Sequence, residues 1–218
     1  MLNKFTTLTP ELYEYLVQHR SERDPVREEL IRTTADLGAL SLMQIAPEQG
    51  AFMTMLTQLI GVRRAIEVGT FTGYSALCIA QGLPADGRLI CCDVNAEWTA
   101  IGKQHWEKAG VAHKIDLRLA PALETLRSLP EDMAIDLAFI DADKVNYAAY
   151  YEALLKRLRP NGVLLFDNVL WMGQVLDISS PSEDTQAIRA LNALLANDKR
   201  VDCVMLPIAD GLTVVRKR

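Results

Sequence analysis

From residue 62 onward, short runs rich in Val, Ile and Leu alternate with amphipathic segments. The runs are RRAIEVG (63–69), RLICCD (88–93), KIDLRLA (114–120), IDLAFID (135–141) and GVLLFDN (162–168). A strand wetted on one side alternates apolar and polar residues, whereas these runs are apolar at nearly every position. That pattern predicts strands of a parallel sheet, covered by helices on both faces. The intervening segments predict helices around 74–82, 95–109, 121–128 and 145–158. Gly110 and Pro160-Asn161-Gly162 supply stop signals for two of them. Such alternation is the mark of a doubly wound α/β sheet.

The two ends depart from this rhythm. A predicted helix near 183–197 is followed by RVDCVMLPI and LTVVRKR, separated only by Ala209-Asp210-Gly211. A parallel pair needs a crossover of a dozen or more residues, so these two strands must form an antiparallel hairpin. Residues 1–61 carry no strand signal and predict three helices, near 9–20, 25–40 and 48–60. No linker, repeat or low-complexity tract interrupts the chain, so residues 1–218 are expected to form a single α/β domain.

Composition narrows the function. Half of the 218 residues are hydrophobic and the net charge is -5, with scattered basic residues, which leaves no footprint for a nucleic-acid backbone. About eighteen consecutive apolar residues occur nowhere, and the opening MLNKFTTLTPELYEY lacks a basic start followed by a long apolar stretch. Neither a membrane span nor an export signal is expected. Cys78, Cys91, Cys92 and Cys203 show no paired spacing and read as buried thiols of a cytoplasmic protein. Cys91 and Cys92 are neighbours on a strand and face opposite ways, which argues against zinc.

The chemistry gathers at the predicted strand ends. EVGTFTGYS (67–75) joins the first strand to a helix, with Gly69 and Gly73 where a backbone could pass close to a ligand. The Gly-x-x-x-Gly spacing lacks the middle glycine of the dinucleotide fingerprint, which disfavours a nicotinamide dehydrogenase. Glu67, inside an apolar strand, is expected to be hydrogen-bonded to loop amides or a ligand. Asp93, ending the second strand, stands where a ribose acceptor belongs. A ribose bound without a pyrophosphate cradle points to S-adenosylmethionine. The fourth strand ends on Asp141, with Asp143 and Lys144 just beyond, and the fifth on Asp167 and Asn168. If these strands are neighbours, two carboxylates and one amide oxygen form a hard-ligand set suited to Mg²⁺, Mn²⁺ or Ca²⁺. Trp171, beyond them, is either a wall of the pocket or a core filler.

EVGTFTGYS, FIDADKVNYAAYYE and GVLLFDNVLWMGQV resemble the motifs of the cation-dependent O-methyltransferases typified by caffeoyl-CoA O-methyltransferase, with catechol O-methyltransferase a more distant relative. The resemblance runs from LYEYL (12–16) to the final hairpin. It implies a seven-stranded Rossmann-like sheet whose last strand is antiparallel. It also implies metal ligands at Asp141, Asp167 and Asn168, and S-adenosylmethionine contacts at Glu67, Gly69, Thr70, Ser75, Asp93, Ala122 and Asp143. Asp141 and Lys144 would serve the chemical step, with Lys144 as general base. The implied reaction is methylation of one hydroxyl of a small vicinal diphenol by a homodimeric enzyme. Two positions depart from the pattern. Many plant members read DNTLWNG where this chain has Met172 in place of the last Asn, and Ile45 stands where a cofactor-contacting Thr is usual. A non-catalytic protein that kept the fold is the remaining alternative.

Overall fold

A computed structural model describes residues 6–20 and 24–218. The opening residues 1–5, part of the stretch tested for an export signal, lie outside the described residues. Seven strands form one sheet in the order β3-β2-β1-β4-β5-β7-β6. They are β1 (Arg64–Val68), β2 (Arg88–Asp93), β3 (Ile115–Leu119), β4 (Ile135–Ile140), β5 (Leu158–Asp167), β6 (Val201–Leu206) and β7 (Leu212–Lys217). Strands β1 to β5 are parallel, β7 runs antiparallel to β5, and β6 is the edge strand paired with β7. The expected α/β sheet with a C-terminal antiparallel hairpin is what forms.

Among the described residues eight α-helices accompany it: α1 (Pro10–Gln18), α2 (Pro25–Ala35), α3 (Pro47–Leu59), α4 (Tyr74–Gly82), α5 (Ala96–Lys108), α6 (Ala122–Ser128), α7 (Tyr147–Arg157) and α8 (Glu183–Asn197). The alternation of strand side chains splits the core in two. Ala65, Leu89, Leu137, Phe139 and Leu165 pack with Leu30 of α2, Met53 of α3, Leu77 of α4 and Trp106 of α5. Ile66, Val68, Ala138, Ile140, Leu164 and Phe166 meet α6, α7 and α8 on the other face. Two lysine ammonium groups, of buried Lys114 and half-buried Lys217, close helix ends. Lys114 donates to the carbonyls of Ala80 (3.0 Å) and Leu83 (2.7 Å) at the end of α4, and Lys217 to those of Leu155 (2.8 Å) and Leu158 (2.7 Å) after α7.

Several expectations need correction. The helix predicted over 25–40 ends at Ala35, because Gly38 turns left-handed at φ +64° and a 3-10 turn, Gly38–Met43, follows. The helix predicted over 145–158 opens as a 3-10 turn, Lys144–Asn146. β5 starts at Leu158, so Pro160-Asn161-Gly162 lies within it. There Asn161 turns to φ +59° and the pairing with β4 slips between Ile135 and Leu137. β3 is not covered on both faces; it is a sheet edge and mostly exposed. Cys203, on the other edge, is exposed rather than buried, while Cys78, Cys91 and Cys92 are buried free thiols. Among the described residues no helix is long and apolar enough to cross a membrane.

Candidate functional site

Backbone hydrogen bonds beyond the ladders knit the carboxyl ends of the first four strands together. Gly69 N–H donates to Cys92 (2.9 Å), Ala120 N–H to Asp93 (3.0 Å) and Asp141 N–H to Val68 (2.8 Å). Residues one step past each strand therefore share one sheet edge. Period two does the rest, because Glu67 pairs with Cys91 on one side and Phe139 on the other, on the face covered by α3 and α4.

The turn after β1 folds differently from its expected use. Gly69 is at φ +89°, and a Cβ there would overlap the Asp141 carbonyl oxygen, so this glycine serves the approach of β4. Gly73, at φ +80°, leaves room for Trp106, whose indole donates to its carbonyl (3.0 Å). Phe71 is also left-handed at φ +50°. This geometry aims the amides of Thr70 (2.9 Å) and Phe71 (2.8 Å) at one oxygen of Asp93, while Asn95 N–H takes the other (2.8 Å). It is Asp93, not Glu67, that holds the loop amides. Asp93 Oδ1, which takes only the Asn95 amide, still has acceptor capacity for a hydroxyl.

Glu67 is fully buried and neither carboxylate oxygen has a hydrogen-bond partner among the described residues. Burial pushes its carboxyl up to about 8; Ser75, Thr70 and Cys91 oppose that, though none is placed to complete a hydrogen bond. Thr70 Oγ1 is likewise buried without a partner. No side chain caps α4, so the first amides of that helix, with the buried Ser75, face the same edge. Ala122 opens α6 beyond β3. Asp143 is engaged within the protein by the Tyr150 hydroxyl (2.6 Å) and the Asn146 amide.

At the tips of β4 and β5 the predicted oxygen cluster does assemble, around an ammonium. Lys144 Nζ donates to Asp141 Oδ1 (3.0 Å), Asn168 Oδ1 (2.7 Å) and the Tyr147 hydroxyl (2.6 Å), which itself donates to the Asp167 carbonyl (3.2 Å). The backbone N–H of Asn168, a residue at φ +57°, donates to Asp167 Oδ1 (2.8 Å). Burial, then the charge of Asp141, raises the Asp167 carboxyl above its usual range. Burial and the same two carboxylates raise the Tyr147 phenol well above 10. Nζ also stands 5.7 Å from the centre of the Trp171 ring, so Trp171 lines the cluster rather than filling the core. Met172 is 84% exposed.

Two participants escaped the sequence reading. Tyr147 follows Lys144 by three residues, one helical turn on, and that spacing was the available signal. Gln49 of α3 is fully buried, and its side chain opposes the rise of the Asp167 carboxyl; on a helix it carries no mark of that in the sequence.

Residues 17–218 match a family model described as O-methyltransferase. Probable caffeoyl-CoA O-methyltransferase 1 of Dictyostelium discoideum is 40% identical over 210 residues, which cover 94% of this chain and 91% of that one. Catechol O-methyltransferase domain-containing protein 1 of Mus musculus is 40% identical over 216 residues, with 96% and 82% covered. The crystal structure of the O-methyltransferase from Bacillus cereus in complex with SAH superposes with a TM-score of 0.85 at 31% identity, covering 94% of this chain and 96% of that one. A match of this extent in sequence and fold means that the chain belongs to the O-methyltransferase family and is a transferase of that class.

Proposed function

We propose that the protein transfers the methyl group of S-adenosylmethionine to one hydroxyl of a catechol-type small molecule, in a reaction that needs a divalent cation. The observation that carries this reading is the meeting of Asp141, Asp167, Asn168 and Lys144 at two adjacent strand tips, beside the uncapped start of α4.

The residues fit both groups. Among the described residues no cluster of three or more His, Cys, Asp or Glu side chains is placed to hold a metal. The candidate set is two carboxylates completed by an amide oxygen, hard donors suited to Mg²⁺, Mn²⁺ or Ca²⁺. Asp141 already raises the Asp167 carboxyl, and one ammonium offsets the two acids. Asp141, Asp167 and Asn168 would hold the ion once Lys144 Nζ yields the oxygens it now bonds. For the methyl donor, Asp93 Oδ1 can accept from a ribose hydroxyl. The unpartnered Glu67 carboxylate, Thr70, Ser75 and the free amides of α4 supply further polar contacts, with Gly69, Ala122 and Asp143 bordering them.

Bound S-adenosylmethionine would supply a methyl group on a positive sulfur, and a divalent ion would lower the pKa of an oxygen acid beside it. A phenol of pKa about 10 is ionised to only about 0.1% at pH 7, a deficit of about 4 kcal/mol. Lys144 addresses that deficit from within the cluster, by stabilising the phenolate as a cation or by taking the proton after losing its own. Tyr147 holds Lys144 in place, and Trp171 offers an aromatic face to the acceptor ring. Buried walls on the α3 and α4 side limit water. Assembly as a homodimer is proposed with this reading and is checked by light scattering.

The test replaces Asp141 or Asp167 with Ala and assays caffeate and other catechols with S-adenosylmethionine, alongside chelation of the native protein. Turnover is expected to fall at least a hundredfold in each case, and to return after chelation when Mg²⁺ or Mn²⁺ is restored. Full activity under chelator would remove the cation from the reaction.

A further inference from the structure

The stretch that follows β5 is bent into a backbone geometry that side chains avoid. Trp171 (φ +50°) and Met172 (φ +49°) are both left-handed, between Asn168 at φ +57° and Gly173 at φ +82°. Only glycine enters this region without steric cost, so two consecutive large residues stay there only where the surroundings impose it. Here the surroundings are the turn between β6 and β7. Asp210 holds the segment at two points: its carbonyl accepts from the Leu170 N–H (3.0 Å), and its Oδ1 accepts from the Met172 N–H (2.6 Å). Gly211, at φ +87°, leaves room for the Leu170 side chain, which a Cβ there would overlap, and its carbonyl accepts from the Val169 N–H (3.2 Å). Trp171 thus lies between two amides tied to one aspartate.

The residue so held is the one whose ring borders the oxygen cluster, with its centre 5.7 Å from Lys144 Nζ. Packing does not explain the strain, because the Met172 side chain is exposed and buries nothing in return. We propose that Asp210 is a positioning residue for Trp171 and, through it, sets the specificity for the acceptor. The doubly tied segment fixes the indole face against which the ring of a catechol rests, and so decides which of its two hydroxyls reaches Lys144. This rests on the function proposed above. The two hydroxyls of a catechol are adjacent and chemically alike, so the choice between them depends on how the ring is held, and a misplacement of about 1 Å is enough to change it. Without the Asp210 carboxylate, the strained pair relaxes toward negative φ and the indole turns away from Lys144.

The experiment compares native protein with Asp210→Ala, which loses the side-chain acceptor, and Asp210→Asn, which keeps Oδ1, using caffeate, S-adenosylmethionine and Mg²⁺. In Asp210→Ala the KM for caffeate is expected to rise about 10-fold, the worth of one hydrogen bond to a charged group, while the KM for S-adenosylmethionine holds. The ratio of the two monomethyl products is expected to move at least about fivefold toward parity, and Asp210→Asn to recover most of both effects. Acrylamide quenching of tryptophan fluorescence reads the anchor without turnover: it should be steeper in Asp210→Ala than in native protein, and the difference should vanish in a Trp171→Phe background. Unchanged quenching, an unchanged KM and product ratio, or a native ratio already at parity would overturn the proposal. So would a melting temperature lowered by more than about 4 °C in both variants, which would assign Asp210 to the fold. A native protein that methylates no catechol, yet shows the quenching difference, would bring down the proposed function and the specificity role with it, while the anchor itself would stand.

Discussion

The carboxylate of Glu67 makes the stability of the ligand-free protein depend on pH in a calculable direction. The group is fully buried, has no hydrogen-bond partner among the described residues, and is pushed from an ordinary 4.5 up to about 8, chiefly by burial. A group whose folded pKa lies above its unfolded value stabilises fully below the unfolded pKa and loses that contribution as pH rises through the folded one. Below pH 4.5 the proton is bound in both states; between 4.5 and 8 the folded protein alone retains it; above 8 the charge must be buried. At about 1.4 kcal/mol per pH unit, the rise from 4.5 to about 8 sets the loss at about 5 kcal/mol by pH 9. Relaxation around the charge makes that a ceiling. Glu67→Gln keeps the shape and removes the titration. Urea denaturation of both proteins at pH 5, 7 and 9 should find them within about 1 kcal/mol of each other at pH 5, with the variant more stable by several kcal/mol at pH 9. A native protein whose stability is flat across this window, or a variant that stays the less stable one at pH 9, would refute the burial argument.

Other perturbations test other parts of the molecule. Gly69→Ala places a Cβ against the Asp141 carbonyl oxygen at φ +89° and is expected to cost about 3 kcal/mol or more, read as loss of soluble protein or a collapsed denaturation midpoint. Lys114→Met strips two carbonyls at the end of α4 of their donor and is expected to cost about 1–3 kcal/mol by urea denaturation. Tyr147→Phe deprives Lys144 of one of its three acceptors and is expected to lower turnover about tenfold, equivalent to about 1.4 kcal/mol, and to move the pH profile while the KM for S-adenosylmethionine holds.

The fold was legible wherever burial leaves a one-dimensional trace. Runs such as IDLAFI and GVLLFD are apolar on both faces because helices cover both faces, so they announce inner strands without alternation. At β3 the trace was there but differs from the inner strands: Ile115, Asp116, Leu117, Arg118 and Leu119 alternate apolar with polar, as suits a half-covered edge strand, while at Pro160-Asn161-Gly162 turn residues mark an irregularity inside β5 rather than a stop. Asp141, Asp167 and Asn168 could be read because oxygen-bearing residues at the ends of apolar strands break the pattern at its last position. The exchange of partners between Glu67 and Asp93 could not be read. It depends on three left-handed residues, Phe71 at φ +50°, Gly69 at φ +89° and Gly73 at φ +80°, that turn the loop amides outward to β2. Tyr147 and Gln49 were hidden for another reason: a polar side chain on a helix looks alike whether it is solvated or buried.

The same face of the sheet carries both core residues and the candidate site, and this coupling follows from strand period. Phe139 and Leu165 point toward α3 and α4, so the residues two steps on, Asp141 and Asp167, must point the same way. Glu67 joins them because it pairs with Cys91 and Phe139. Buried acids at the end of an apolar strand oppose folding, as the raised pKa values of Glu67 and Asp167 record. They persist because the register that buries Phe139 and Leu165 leaves them no other place. A slip of one residue in β5 would carry Asp167 to the α7 side and Leu165 with it, emptying site and core together. In this chain the oxygen cluster and the hydrophobic core are therefore under one geometric constraint, and a variant that restores packing by shifting register cannot at the same time keep Asp167 facing Asp141.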